Sequence, residues 1–318
     1  MDDFRDLLAC PACRGALADG WSCQSCGTRF GAPDGIPNLR LDSDKKTETV
    51  RNFYERAPFP GYPPRDSLQA LHARTERNDF ARLVNQAIPG DARIVEVGCG
   101  TGQMSLYLSR ADRIVIGADL TRAALVIAAA AAQRFNLARV QFVETDLRHP
   151  GLKPGAFDVV FSSGVVHHTG NPRQSFAHLA ELARPGGIIV LGVYNAFARI
   201  PLRLRRVVAR CSGFRFVPFD PVLRDRRNEP ARREAWLRDQ YQHPEEHRHT
   251  LAEVQGWFAE NRVEYVRAYP SAVLDDEPGD LLARAPDNWR PEGWLAQLGW
   301  MRTLGREGGL FFTVGRRV

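Results

Sequence analysis

The stretch IVEVGCGTGQM, residues 94–104, decides the fold. An apolar, β-branched run ends at Val97. Gly98, Gly100 and Gly102 follow, with Cys99 among them, and a helical pattern begins at once. Strand, glycine loop and helix together open an α/β unit. The glycines let the backbone approach a ligand, and the helix N-terminus favours an anionic group. The spacing is G-x-G-x-G, whereas dinucleotide folds carry G-x-G-x-x-G. Glu96 stands where a hydrophobic residue is usual, and a carboxylate there suits a cationic ligand better than a pyrophosphate. Cys99 is either a thiol activated by the helix N-terminus or a small residue that fits between glycines. We read it as the spacer.

Outward from this loop, strands and helices alternate. Apolar β-rich runs occur at 93–97, 113–118, 140–144, 157–162 and 188–193, with helical patterns at 102–109, 121–135 and 172–183 between them. Such a series predicts a parallel sheet with helices on both faces. Two later runs, 264–268 and 310–315, read as further strands. Ahead of the series one helix pattern ends at Pro58, and Pro60, Pro63 and Pro64 keep the chain extended. A second helix is expected over 67–88.

Taken in order, these pieces resemble class I S-adenosylmethionine (SAM)-dependent methyltransferases, nearest the group that includes quinone C-methyltransferases. VEVGCGTGQ is similar to their first motif, Asp119 in IGADLT to the acidic residue that holds the ribose, and Asp146 in VETDL to the residue that holds the adenine amino group. The resemblance spans roughly Val50 to Val318. It implies a SAM site made by Glu96, Gly98, Cys99, Gly100, Gly102, Asp119, Leu120, Asp146, Leu147, Ser162 and Ser163. It also implies a last strand that inserts antiparallel.

After the fourth strand of the series comes SSGVVHH, residues 162–168. It lacks the Asp/Asn-Pro-Pro-Tyr of amino-group methyltransferases, a Pro-Cys nucleophile, and an added carboxylate for Mg²⁺. Transfer to oxygen, activated carbon or another nucleophile of a small, lipid-like or natural-product acceptor remains. His167 and His168 are the available general bases; the alternative is that they only pack or cap the following helix.

The first 41 residues are different. Cys10, Cys13, Cys23 and Cys26 form two C-x2-C pairs nine residues apart. Four thiolates at that spacing make a tetrahedral zinc site, and a segment too short for a core needs such a staple. The segment resembles the zinc ribbons that accompany methyltransferases as activating subunits or fused domains, which implies structural Zn²⁺. We expect a ribbon over 1–41, a polar linker over 42–50, and the methyltransferase domain over 51–318, with inserts or caps at about 197–250 and 269–309.

Hydrophobic residues at 44% and charged residues at 25% suit a soluble globular chain. The longest apolar run, 123–132, is half of the ~20 residues a membrane span needs. No signal peptide is read at the N-terminus, and the expected location is the cytoplasm. The net charge of +6 is uneven: 197–233 holds eleven arginines against three acids, a surplus of eight, which leaves the rest at −2. Within it, Arg199–Arg215 reads as a basic amphipathic helix suited to a membrane surface or another anionic partner. Nucleic acid is the second candidate, and with it an RNA methyltransferase; a non-catalytic adaptor is the third reading. Alternatively, the arginines pair with acids inside the fold. His243 and His247 are either a metal pair or neighbours of a helix starting at Pro244. Trp289, Trp294 and Trp300 are expected in a cap or a satellite core. Cys211 is expected to be buried.

Overall fold

The computed structural model describes residues 2–59, 67–225, 229–277, 279–286 and 290–318; Pro60, Pro63, Pro64 and Trp289 lie outside them. Eight strands form one sheet: β1 (Asn38–Leu39), β2 (Arg93–Val97), β3 (Ile114–Asp119), β4 (Val140–Thr145), β5 (Phe157–Ser163), β6 (Ala183–Tyr194), β7 (Val263–Tyr269) and β8 (Leu310–Arg317). Their order is β1-β4-β3-β2-β5-β6-β8-β7. The pairs from β1 to β6 are parallel, and β8 lies antiparallel between β6 and β7. The class read from sequence is the class found, including the antiparallel insertion.

Nearly every residue of the central strands is buried. Val95, Val97, Ile116, Val143 and Val160 belong to one core cluster, and Ile94, Val115, Val140, Phe142 and Val159 to the other. Two buried faces explain why the strands read as continuous apolar runs and not as alternations. Starting at β2, the chain steps outward through β3 and β4, then crosses to β5 on the far side of β2. That reversal is the topological switch point, where α/β sheets hold ligands outside the strands' carboxyl ends.

Three segments differ from the sequence reading. The helix expected over 67–88 is two, Leu68–Thr75 and Asp79–Ala87, because the Asn78 side chain accepts from the Ala81 amide at 3.0 Å and caps a new start. The stretch 42–50 carries the start of the helix Lys45–Arg56, capped by Asp44 on the Thr47 amide at 2.8 Å. The cysteine-bearing segment is built into the larger fold. Asn38–Leu39 extends the sheet beside β4, Leu8 bridges to Leu152, and Leu7, Leu8, Leu17 and Leu39 join the first core cluster. No helix among the described residues is long and apolar enough to cross a membrane.

Candidate active site and metal centre

A cavity of about 870 Å³ opens at the carboxyl ends of β2 to β6. That volume is at the upper end for small-molecule and cofactor sites. Each strand delivers a residue to it: Val97 from β2, Asp119 from β3, Thr145 from β4, Ser163 from β5 and Tyr194 from β6, with Gly98 and Asp146 directly after β2 and β4.

The glycine loop forms one wall. Gly98 has φ +78°, and a Cβ there would lie 2.0 Å from Val165 Cγ2, so only glycine fits. The Gly98 and Cys99 amides both donate to the Ala118 carbonyl, at 2.7 and 3.1 Å. Asp119 ties the loop to β3. One of its oxygens accepts from the Gly100 amide at 2.8 Å, the other from the Thr121 amide and hydroxyl at 2.8 and 2.5 Å. Burial raises the Asp119 pKa, against the pull of these hydrogen bonds. At the end of β4, burial also works against the Asp146 carboxylate, but Arg148 prevails and holds its pKa low. Arg148 donates to Asp146 at 2.7 Å, and the Ser43 hydroxyl donates at 3.1 Å.

Of the expected SAM-site residues, Gly98, Gly100, Asp119, Leu120, Asp146, Leu147 and Ser163 line the cavity. Glu96, Cys99, Gly102 and Ser162 do not. Glu96 turns beneath the loop and accepts from the Ser105 hydroxyl; burial pushes its carboxyl up to about 8. Ser162 donates to the Val97 carbonyl at 3.0 Å and braces β5 against β2. Cys99 is buried beside Gly117. Burial and the nearby Asp119 carboxylate push its thiol far up, so it stays a protonated spacer.

The histidines separate. His168 lines the cavity; His167 is fully buried and packs at a tilt of 36° against Tyr194 with ring centroids 3.8 Å apart. Neither nitrogen of His167 has a polar partner. His168 donates from Nδ1 to the Glu245 carbonyl at 2.7 Å, a contact that assigns its tautomer and leaves Nε2 the acceptor. Burial lowers the His168 pKa to about 4 despite that bond, so the ring is neutral at pH 7.

Around His168 stands a wall that the sequence reading did not assign to the site. Tyr54 donates to one oxygen of Asp239 at 2.7 Å, and Gln240 donates to the other at 2.6 Å and to the Tyr194 hydroxyl at 2.7 Å. Trp236 and Glu245 complete it. Lys46 or Thr47, Val50 and Tyr54 share one helix face, and that spacing was the available signal. Trp236, Asp239 and Gln240 come from the helix Pro230–Gln242, whose place over the strand ends is set by tertiary packing.

The insert over 197–250 thus covers the site, whereas no described residue of 269–309 lines the cavity. There Trp300 packs on Phe311 at 5.4 Å, and Trp294 sits exposed beside Phe197. Two arginines of the basic stretch face inward. Arg199 is fully buried, donates to Glu246, Gln240 and the Gly308 carbonyl, and lies over the Tyr194 ring; Arg206 also reaches Glu246. Cys211 is exposed, contrary to expectation, because it follows the helix's last buried residue, Ala209. The His243 ring packs tilted against His168 with centroids 3.7 Å apart, and His247 contacts Glu245 at 2.9 Å. No helix starts at Pro244. Neither histidine belongs to a metal-competent group among the described residues.

The four early cysteines do. Their sulfurs all lie within 4.8 Å of one another, with Cys10 to Cys26 at 3.7 Å and Cys13 to Cys23 at 3.4 Å. Tetrahedral Zn–S bonds of about 2.3 Å place sulfurs about 3.8 Å apart, so the set fits zinc. The Ser25 and Cys26 amides point at the Cys23 sulfur at 3.4 and 3.5 Å, as in a metal knuckle. Pro11 and Arg14, in and beside the first knuckle, line the cavity, and Arg14 pairs with Glu181 at 2.7 Å.

Residues 95–191 match the family described as methyltransferase domain. An uncharacterized protein of Synechococcus sp. is 27% identical over 241 residues, covering 67% of this chain and 58% of that protein. A ubiquinone biosynthesis O-methyltransferase of Cereibacter sphaeroides is 29% identical over 118 residues, covering 37% of this chain and 47% of that one. The chain therefore spans about half the length of these relatives. Magnesium protoporphyrin IX methyltransferase of Synechocystis superposes with a TM-score of 0.49 at 17% identity, over 86% of this chain and all of that one. The residues that match this family run from β2 into β6 of the Rossmann-like sheet.

Proposed function

We propose that this chain, a carrier of the methyltransferase domain, is a SAM-dependent methyltransferase acting on a small molecule with an ionisable oxygen or enolic carbon. One observation carries the reading: a single cavity at the switch point joins the Gly98–Gly100 loop and Asp119 to a neutral, oriented His168.

In this reading Asp119 accepts from the ribose hydroxyls, and Asp146 with Leu147 faces the adenine. The glycine loop admits the amino-acid end. Bound there, SAM would supply an electrophilic sulfonium methyl group to an acceptor held in line with it, the C–S electron pair staying on sulfur. Tyr54, Trp236, Asp239 and Gln240 hold the acceptor and exclude water. Such positioning can account for ~7–11 kcal/mol of the barrier. His168 takes the acceptor's proton on Nε2, and the Glu245 carbonyl holds the ring in that tautomer. Cys10, Cys13, Cys23 and Cys26 would hold a structural zinc, since four thiolates leave no open position. Such a zinc would fix the knuckle that brings Pro11 and Arg14 to the cavity.

The test is incubation of the protein and methyl-labelled SAM with cell extract, followed by fractionation. Label in a low-mass compound supports the proposal. Label confined to RNA, or no transfer, sinks it.

A further inference from the structure

We propose that the outer face of the helix Ile200–Cys211, with the loop after it, docks on an anionic lipid bilayer. The helix is anchored on its inner side. Leu202 and Ala209 are buried in a cluster with Val222, Trp236 and Tyr241, and Arg206 is held by Glu246. Its outer side should therefore be polar, and it is not. Ile200, Leu204 and Val207, spaced one turn apart, are 38%, 67% and 61% exposed. Phe216 and Phe219 follow at 60% and 94%. Water-facing aliphatics in helical register next to exposed phenylalanines mark an interaction surface.

Charge identifies the occupant. Arg203, Arg210 and Arg215 are exposed among these residues, and none has an acidic partner among the described residues. A basic rim around a protruding apolar stripe is the arrangement of helices that lie in a lipid interface, aliphatics in the acyl boundary and arginines at phosphate level. A second copy would bring the same arginines against these, a like-charge contact. RNA would reward the arginines but not the outward Leu204 and Val207. The helix also leads, through Arg199, Glu246 and Gln240, into the wall of the cavity. Docking would thus place the site beside a bilayer that holds apolar compounds. The docking itself stands apart from the proposed chemistry.

The full chain should be tested by flotation with phosphatidylcholine–phosphatidylglycerol vesicles and with pure phosphatidylcholine vesicles. Binding to the mixed vesicles should be about tenfold stronger or more, and salt should weaken it. Leu204→Glu with Val207→Glu should abolish it while circular dichroism and melting temperature stay unchanged, because both residues are exposed. Arg203→Gln with Arg210→Gln should remove the preference for phosphatidylglycerol. The proposal is overturned by absence of binding to mixed vesicles at low salt, by binding indifferent to the Leu204/Val207 pair, by a dimer that this pair dissolves, or by binding that RNA competes away.

Discussion

Nδ1 of His168 lies 2.7 Å from the carbonyl oxygen of Glu245. A side chain leaving the central sheet is thereby oriented by the backbone of the insert that covers it. The insert positions the proposed base as well as walling the cavity.

His168→Ala should lower kcat by about 10²–10⁴, the usual contribution of a positioned base, with SAM affinity unchanged. His167→Leu should retain most activity, since neither ring nitrogen of His167 has a hydrogen-bond partner and the residue lines no part of the cavity. Equal losses in both variants would reduce the pair to packing. With its pKa near 4, His168 is neutral through the range where a free histidine titrates. The pH profile of kcat/KM should therefore lack an acid limb near 6.5. Stability follows from the same shift. The unfolded chain protonates at about 6.5, whereas His168 and His243 resist until about 4 and 3, so melting temperature should fall as pH drops from about 6.5 toward 4.

Glu96 gives the opposite sign. Buried and raised to about 8, its carboxyl is protonated in the folded chain over a range where the unfolded chain has lost that proton. Its contribution is fully present below about 4.5 and lost as pH rises toward 8. Glu96→Gln should raise the melting temperature of the ligand-free protein by several degrees at pH 8 and leave it unchanged near pH 4.5. A thermal scan at both values decides.

Arg199→Met should cost about 3–5 kcal/mol in denaturant unfolding, because it leaves Glu246 buried with one cation fewer and the Gly308 carbonyl and Gln240 without their donor. A loss below about 1 kcal/mol would mean that the pair is solvated.

If the four cysteines hold zinc as proposed, stripping it with a chelator should lower the melting temperature and the activity together. The ribbon shares its core with the sheet, and Pro11 and Arg14 wall the cavity. Zinc should restore both; activity unaffected by metal removal would detach the ribbon from the site.

The sheet was legible because buried parallel strands leave apolar runs that no other element explains, and because glycines at forced conformations, such as Gly98, cannot be substituted silently. Asp119 and Asp146 were legible as acids at strand ends. Glu96 was misread: its charge suggested a ligand contact, but its direction depends on how the helix Gln103–Leu108 packs over it. Asp239, Gln240 and Trp236 left no local signal, since nothing in their own helix shows that it will lie above β6. The arginines of the insert illustrate the same gap. Arg199 and Arg203 are one helical turn apart, yet one is fully buried and the other faces solvent.

The most direct test is calorimetric titration of the purified chain with SAM. One site per chain should be filled. Asp119→Ala should weaken binding about ten- to a hundredfold, since the carboxylate holds the Gly100 amide and, in the proposed reading, would also receive the ribose. Cys99→Ala, a change at a buried spacer, should shift affinity by no more than about threefold. No heat with the wild-type chain, or an Asp119→Ala affinity equal to wild type, would contradict the assignment of this cavity to SAM.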